Sequence, residues 1–324
     1  MRGNFFDNGG FHSTADNSAT ITILENGPAV VQAEIKGNIL AHPYTQTITL
    51  KHRDRKIECR LRIDWQENIG IGNAYKQHAS LEAKDYTKPF YDDSQKLLAL
   101  FPVAFSASKI YKDAPFDVTE SRLENTFFTR WDSIKNNIML SWVDAYDAQK
   151  NLGLALLTDH TTTYAHGKDF PLGLNVQYSG VGLWGRNHTI TGPTEIRYAL
   201  VPHAGKWDEA QIAAEVQGWN EPLVASLAQP AKHSHRSLVD VGATGWQVTT
   251  VLVNGADLLV RLFNAAGGAK PQKVVIGGRA AAVDLVELDG TIKKPLPTQQ
   301  SKLGTVVRVA MPRFGLCTIR LKNF

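Results

Sequence analysis

The sequence predicts an all-β protein made of two domains with one short helix between them. Short segments of alternating or continuous apolar residues recur from residue 21 onward, and they are too short and wrongly patterned for globular helices. A polar stretch at residues 229–236 separates two groups of these segments. With 324 residues, 43% of them hydrophobic and 20% charged, the chain has enough apolar material for two buried cores.

The first twenty residues are rich in Gly, Asn and Ser, and we expect an irregular segment over residues 1–20, a loop or the end of an element outside the sequence. No apolar core of signal-peptide length follows Met1, and no later stretch approaches the length of a membrane span. We therefore expect a soluble chain and leave its compartment open. Met1 need not be the natural start.

The first β domain is predicted to cover residues 21–231. In the segment Ile57–Ile63 apolar and charged residues alternate strictly, which is typical of a half-buried antiparallel strand. Turns are predicted at Gly27-Pro28, at Gly37-Asn38 and in the polar segment 51–56. The other predicted strands lie at residues 21–24, 29–35, 46–50, 97–105, 137–143, 153–159, 173–178 and 195–202.

A helix is predicted at the end of this domain, where Ile212, Ala213 and Val216 fall on one face. The acidic residues 208–209 complement the positive end of its dipole, and it should end near Gly218. Residues 232–324 then form a small β-sandwich. Its predicted strands lie at residues 247–254, 257–264, 273–276, 282–288, 305–311 and 316–321.

Charge and motif content argue against several functions. The formal charge of +4 arises from 35 basic and 31 acidic residues without a long run of either sign, so nucleic acid and membrane surfaces are not expected partners. Cys59 and Cys317 each lie in a predicted strand, which favours buried thiols over a disulfide or zinc site. No GxSxG, P-loop or HExxH motif is present, and no pair of carboxylates is singled out for acid–base chemistry.

Polar and aromatic residues concentrate between residues 156 and 220, where we expect loop ends between strands. Aromatic faces can stack on a sugar ring, and His, Asp and Arg side chains can hydrogen-bond its hydroxyls. Sugar contact and docking of another domain compete here with ordinary loop hydrogen bonding. A metal site is disfavoured, because the two histidines nearest Asp159 are six residues apart and fit no helical metal motif. The candidates are Asp159, His160, Tyr164, His166, Trp184, Arg186 and His188.

Seven short strings, in this order and spacing, resemble the C-terminal β region of the family-38 glycoside hydrolases, the α-mannosidases. The resemblance covers nearly the whole chain after Ile21. The strings are Glu25-Asn26-Gly27-Pro28, Ile63-Asp64-Trp65, Leu100-Phe101-Pro102, residues 142–159, residues 198–203 with Gly205 and Trp207, residues 219–223, and residues 261–264.

The resemblance implies a large two-sheet supersandwich of the galactose-mutarotase type, followed by a smaller β-sandwich. It also implies a retaining α-mannosidase whose carboxylate nucleophile and zinc ion belong to an N-terminal α/β barrel preceding the matched region. Since this sequence has no room for that barrel, we expect a fragment or one part of a split gene, inactive alone. Its loops would brace the barrel or complete a site for an α-mannoside.

Two alternatives of other classes remain. The chain can be a stand-alone carbohydrate-binding module that contacts sugar through Trp184, Tyr164 and His160. It can also be a mutarotase-like enzyme, since supersandwich folds host aldose epimerases and lyases. That chemistry needs a histidine and a carboxylate that converge on the concave face of a sheet. The sequence does not place His160, His166, Asp159 or Glu195 well enough to decide.

Overall fold

In a computed structural model of the chain, two compact units are distinguished among the described residues. One comprises Met1–Ala114 with Val118–Trp207, and the other Pro115–Asp117 with Asp208–Phe324. The predicted linker at residues 229–236 lies outside the described residues, so the boundary between residues 231 and 232 stays a prediction. The structure describes residues 1–5, 8–66, 69–71, 96–105, 108–122, 134–167, 170–181, 187–188, 190–221, 223–227, 237–242, 245–265 and 268–324.

The described strands before Trp207 are antiparallel and short, as the periodicity predicts. They are β1 (Arg2–Phe5), β2 (Gly10–Ser13), β3 (Thr20–Asn26), β4 (Val30–Ile39), β5 (His42–Lys51), β6 (Ile57–Ile63), β7 (Leu97–Phe101), β8 (Ser108–Ala114), β9 (Asp117–Ser121), β10 (Ile134–Met139), β11 (Trp142–Asp147), β12 (Leu152–Thr158), β13 (Thr162–Gly167), β14 (Leu172–Gln177), β15 (Gly180–Val181), β16 (Asn187–His188) and β17 (Thr194–Ala204).

Two large sheets make up the first unit. One has nine strands in the order β3-β4-β5-β6-β17-β12-β11-β8-β9, and the other has six in the order β10-β13-β14-β7-β1-β2. Alternate side chains of both sheets meet in one apolar core, to which the nine-stranded sheet contributes Leu61 and Leu156 and the six-stranded sheet Leu97 and Leu174. The predicted two-sheet supersandwich is confirmed.

A bent two-stranded ribbon connects the two sheets. Strands β10 and β13 pair in the six-stranded sheet, and their continuations β11 and β12 pair in the nine-stranded sheet. At the bend the Thr158 N–H donates to the Ser141 carbonyl at 2.8 Å, so both chains of the ribbon cross between the sheets side by side.

The prediction of one strand at residues 137–143 is wrong, because this bend interrupts it. The carboxylate of Asp113 accepts hydrogen bonds from the backbone N–H groups of Leu140, Ser141 and Trp142 at 2.8, 2.7 and 3.2 Å. It also accepts one from the Ser141 hydroxyl at 2.6 Å. Leu140 and Ser141 therefore have a partner for their N–H groups without belonging to a ladder, which lets the chain leave one sheet and enter the other at Trp142.

The predicted turns at Gly27-Pro28 and at residues 51–56 are confirmed, whereas the turn at Gly37-Asn38 is wrong. Strand β4 continues through this dipeptide and turns at Leu40, which has a φ of 52°. Gly37 instead pairs with Tyr44 across the ladder, and a Cβ atom on it would lie 2.8 Å from the Tyr44 hydroxyl oxygen. The glycine makes room for a ring.

The N-terminal segment also differs from the irregular structure expected for residues 1–20. Strand β1 pairs with β7 and β2, and Phe5 is completely buried in the core. Gly3 lies close against Leu97, since an added Cβ would be 3.0 Å from its Cδ1 atom. Strands of four residues are too short to show a periodicity, and of the glycines that suggest a loop here Gly3 permits close packing, whereas Gly9 and Gly10 adopt positive φ angles where β2 begins.

The second unit contains the predicted helix and a small two-sheet β-sandwich, both confirmed. Helix α1 (Ile212–Asn220) buries Ile212, Ala213, Val216 and Trp219, and it ends two residues beyond Gly218. No helix among the described residues is long and apolar enough to span a membrane.

One sheet of the sandwich is ordered β18-β21-β25-β24 and the other β19-β20-β26-β22-β23. Their strands are β18 (Val239–Asp240), β19 (Trp246–Asn254), β20 (Asp257–Asn264), β21 (Gln272–Ile276), β22 (Ala282–Val286), β23 (Ile292–Leu296), β24 (Thr298–Ser301), β25 (Gly304–Val309) and β26 (Leu316–Lys322). The sequence misses β23 and β24 because both are largely exposed and polar.

Candidate functional site

Asp159 and His160 lie on the surface at the bend of the ribbon, directly after β12. The Nδ1 atom of His160 is 2.8 Å from Asp159 Oδ1, and Arg197 Nη1 on β17 is 3.9 Å from Asp159 Oδ2. Thr158, which is completely buried, holds the turn through a hydrogen bond from its hydroxyl to the His160 carbonyl at 2.9 Å. The three exposed side chains offer donors and acceptors suited to sugar hydroxyls.

Tyr164 and His166 lie inside the unit instead, on strand β13 rather than on the loop that the polar composition suggested. Their rings stack with centroids 5.9 Å apart, and their exposed fractions are 0% and 4%. His166 Nε2 is 2.9 Å from the Ser121 hydroxyl oxygen. Burial raises the pKa of the Tyr164 phenol. Tyr164 is a core residue in this structure.

The predicted cluster is thus divided by β13. The exposed residues Asp159 and His160 precede this strand, whereas His166 stands near its far end. The four residue steps from Thr162 to His166 correspond to about 13 Å at roughly 3.3 Å per residue. One sugar ring cannot contact both ends.

A cavity of about 300 Å³ opens beside His166, at the lower end of the range of small-ligand sites, which starts at about 300 Å³. Most of its lining residues are apolar, but polar atoms, among them those of the Ser108 and His166 side chains, form about half of its wall. The lining side chains include Val103, Phe105, Ile110, Ala145, Phe170 and Leu172.

The remaining predicted site residues are not tested by the geometry. Trp184 and Arg186 lie outside the described residues. His188 is on β16 and pairs with Gly180, but its side chain is not described.

A second pair of histidine and aspartate, not singled out as a site by the sequence, is buried on the nine-stranded sheet. His203 Nε2 is 2.9 Å from Asp144 Oδ1, and neither side chain has any exposed surface. His203 Nδ1 lies 3.1 Å from the Gly205 carbonyl oxygen, which can only accept, so Nδ1 carries a proton. One further proton lies between Nε2 and the carboxyl group. Burial raises the pKa of Asp144, and the contact with His203 opposes that shift.

Gly153 makes this pair possible. It stands opposite His203 in the ladder between β12 and β17, and a Cβ atom on it would lie 2.1 Å from His203 Cε1. The ring therefore crosses over the glycine to reach Asp144 on β11. With no exposed surface, the Asp144/His203 pair is closed to substrate, and its placement is that of a structural pair.

The zinc ion implied by the resemblance does not fit the described part of this chain. Across those residues, no three His, Cys, Asp or Glu side chains stand together in a way that could hold a metal ion. Both cysteines lie in strands, Cys59 buried and Cys317 partly buried, and burial raises the pKa of Cys317 to about 11. No catalytic step through a metal is derived from these residues.

Comparison with known proteins identifies the family. The family model for the glycosyl hydrolases family 38 C-terminal domain matches residues 5–176. The chain belongs to this family. The match contains Asp159, His160, Tyr164 and His166, while Trp184 lies beyond it. No curated protein sequence matches the chain.

Two solved structures share the fold of this family-38 chain over 95% of its length. An α-mannosidase from Enterococcus faecalis V583 is 14% identical, with a TM-score of 0.64, and the match covers 35% of that protein. A family-38 glycosyl hydrolase from Enterococcus faecalis is 15% identical, also with a TM-score of 0.64, and 37% of it is covered. The chain thus spans little more than a third of these structures.

Proposed function

We propose that this chain is the C-terminal β portion of an α-mannosidase-like glycoside hydrolase, which braces or completes the sugar site of a separate catalytic barrel. The observation that carries the proposal is the family-38 C-terminal match, together with a fold that corresponds to about a third of two much longer structures. The complete enzyme would hydrolyse a terminal α-mannoside with retention. Its carboxylate nucleophile and zinc ion would belong to the barrel.

The described residues contain no accessible pair of catalytic groups, which favours a role in bracing the catalytic barrel over catalysis by this chain. Of the two pairs of histidine and aspartate, the Asp144/His203 pair is closed to solvent. The Asp159/His160 pair is accessible, with side chains 33% and 40% exposed, and it stands at the turn after β12. Neither arrangement favours mutarotase chemistry.

The test is an assay with an aryl α-mannoside. The purified chain alone should show no turnover. The family-38 catalytic polypeptide encoded in the same genome should gain activity or a higher melting temperature when the chain is added or fused to it. Release of mannose by the chain alone, at a rate that follows mutations in the chain, would refute the proposal. So would a catalytic polypeptide that the chain leaves unchanged in both measurements.

A second candidate, a carbohydrate-binding module, is favoured by the exposed cluster of Asp159, His160 and Arg197. Calorimetry with mannose and mannobiose tests it directly. Saturable heat that is lost in His160→Ala, but retained in the control His52→Ala at another exposed histidine, would support this function. A bracing domain should give no saturable heat with either sugar.

A further inference from the structure

The apolar inner face of the nine-stranded sheet continues beyond the core that covers it. One row of paired residues crosses five strands through Tyr198, Cys59, Ile48, Ala33 and Ile23. Tyr198 and Cys59 are 3% and 6% exposed, whereas Ile23 at the edge is 59% exposed. Residues in one row point to the same side of a sheet, so the same face is buried at its centre and open at its edge.

This open face is formed by Ile21, Ile23, Val31 and Leu50 on strands β3 to β5. Their exposed fractions are 67%, 59%, 37% and 45%. The register places all four on the side that faces the core. The same side of these strands also carries three polar residues, Asn26, His42 and Gln46. His42 is completely buried, and Gln46 donates to the Tyr198 hydroxyl at 2.8 Å. The open face therefore presents no charge.

The opposite side of the same strands is polar, as a solvated sheet face should be. Thr22, Glu34, Thr47 and Arg60 form the row next to that of Ile23. If both faces of this sheet edge were solvated, we would expect polar side chains on both of them instead of a regular alternation of apolar and polar residues. The pattern in β3 to β5 is that of a sheet with a second partner on its inner side.

The size of the open face bears on the identity of that partner. The four apolar side chains of this face are 37–67% exposed and form a patch on the order of a few hundred Å², because Ile39 and Tyr44 on the same side of β4 and β5 are buried in the core. A patch of this size is comparable to the largest apolar patch on a typical monomer, and such patches are often functional. Stable association of separate copies takes about 800 Å² on each partner, so a second copy of the chain is disfavoured. A catalytic domain of the same enzyme is also held by other contacts, so this one surface can bury less area and still contribute to docking.

We propose that the open face docks the catalytic domain of the complete family-38 enzyme, through a surface that is apolar where it meets Ile21 and Ile23. This inference rests on the proposed function and adds the location of the contact. The matched α-mannosidases are nearly three times as long as this chain, which leaves ample protein to cover the face.

The test compares two adjacent substitutions on the edge strand. Ile23→Asp places a charge on the open face, and Thr22→Asp places the same charge on the opposite side at a residue that is also exposed. The probe is the family-38 catalytic polypeptide from the same genome, titrated with each variant by calorimetry. Ile23→Asp should weaken binding at least about 10-fold, as expected for the centre of an interface, and Thr22→Asp should change it less than about 2-fold.

The outcomes separate this inference from the proposed function. If the wild-type chain does not bind the catalytic polypeptide, the proposed function fails and the inference fails with it. If the wild type binds and both variants bind equally well, only the inference is refuted. Light scattering of the chain alone adds a further outcome, since a dimer that Ile23→Asp dissociates would assign the face to a second copy. Thermal melting of both variants checks that each remains folded.

Discussion

The two pairs of histidine and aspartate in the larger unit have nearly the same spacing and opposite surroundings. His160 and Asp159 are 2.8 Å apart and substantially exposed, while His203 and Asp144 are 2.9 Å apart with no exposed surface. The first pair joins neighbours in sequence, and the second joins strands β17 and β11 across Gly153. The comparison teaches that distance alone does not identify a site. Burial makes one pair a structural element, and exposure leaves the other free for a ligand.

The largest expected effect is the loss of the buried carboxylate. Asp144→Ala leaves His203 Nε2 without its hydrogen-bond partner in a place that water does not reach, and we expect the free energy of unfolding to fall by about 3–5 kcal/mol. Urea denaturation followed by tryptophan fluorescence measures it. Asp159→Ala is the matched control at the exposed pair and should cost less than about 0.5 kcal/mol. Equal losses in the two variants would contradict the comparison.

A smaller loss is expected for Gly153→Ala, whose methyl group would overlap the His203 ring. Overpacking of this kind costs about 1–3 kcal/mol in the free energy of unfolding. The cause is checked in a double-mutant cycle with His203→Ala, measured by the same denaturation. In that background the methyl group has space, so Gly153→Ala should add almost nothing. An undiminished cost there would place its origin elsewhere.

The buried pair should also make stability depend on pH. Burial raises the pKa of Asp144 in the folded protein, so folding favours its protonated form. That contribution is complete below the ordinary Asp pKa of about 3.9 and is lost as the pH rises through the raised pKa. The stability of the wild type relative to Asp144→Asn should therefore fall with increasing pH above about 4. The measurement is the denaturation midpoint of the wild type and of Asp144→Asn at a series of pH values. A difference between the two proteins that stays constant with pH would contradict the prediction.

The smallest effect on stability is expected at the exposed pair. His160→Ala should change the free energy of unfolding by less than about 0.5 kcal/mol, because an exposed ion pair contributes little. Thermal and urea denaturation of this variant beside the wild type provide the measurement. A loss of more than 1 kcal/mol would show that the turn at the bend depends on the His160 side chain.

Much of the fold could be predicted from local patterns. Strict alternation in Ile57–Ile63 and the shared face of Ile212 and Val216 are visible within one element, and both elements are present. The bend at Ser141 could not be predicted, because its hydrogen-bond acceptor, Asp113, lies 28 residues away in sequence. Strand β13 is not predicted because its polar residues resemble a loop, and only the structure shows that Tyr164, Ala165 and His166 are all buried.

The candidate site could be predicted only in part. His160 and His166 are close in sequence, which suggests one site. The extended strand β13 nevertheless places them farther apart in space than a compact loop would. The reverse holds for Asp144 and His203, which are 59 residues apart and in contact. A signal for them exists in retrospect: Gly153 in the middle of an apolar strand indicates close approach by another group. Which group approaches requires the register of the sheet.

The ribbon that passes from one sheet into the other has a consequence for how the supersandwich opens. The same two chain segments form strands in both sheets. The sheets therefore cannot separate without breaking the hydrogen bonds that Asp113 accepts at the bend of the ribbon. The amide protons of Leu140 and Ser141, although they belong to no ladder, should then exchange with deuterium only when the whole unit unfolds. A turn with the conformation of a loop would then contain some of the most slowly exchanging amide protons of the domain.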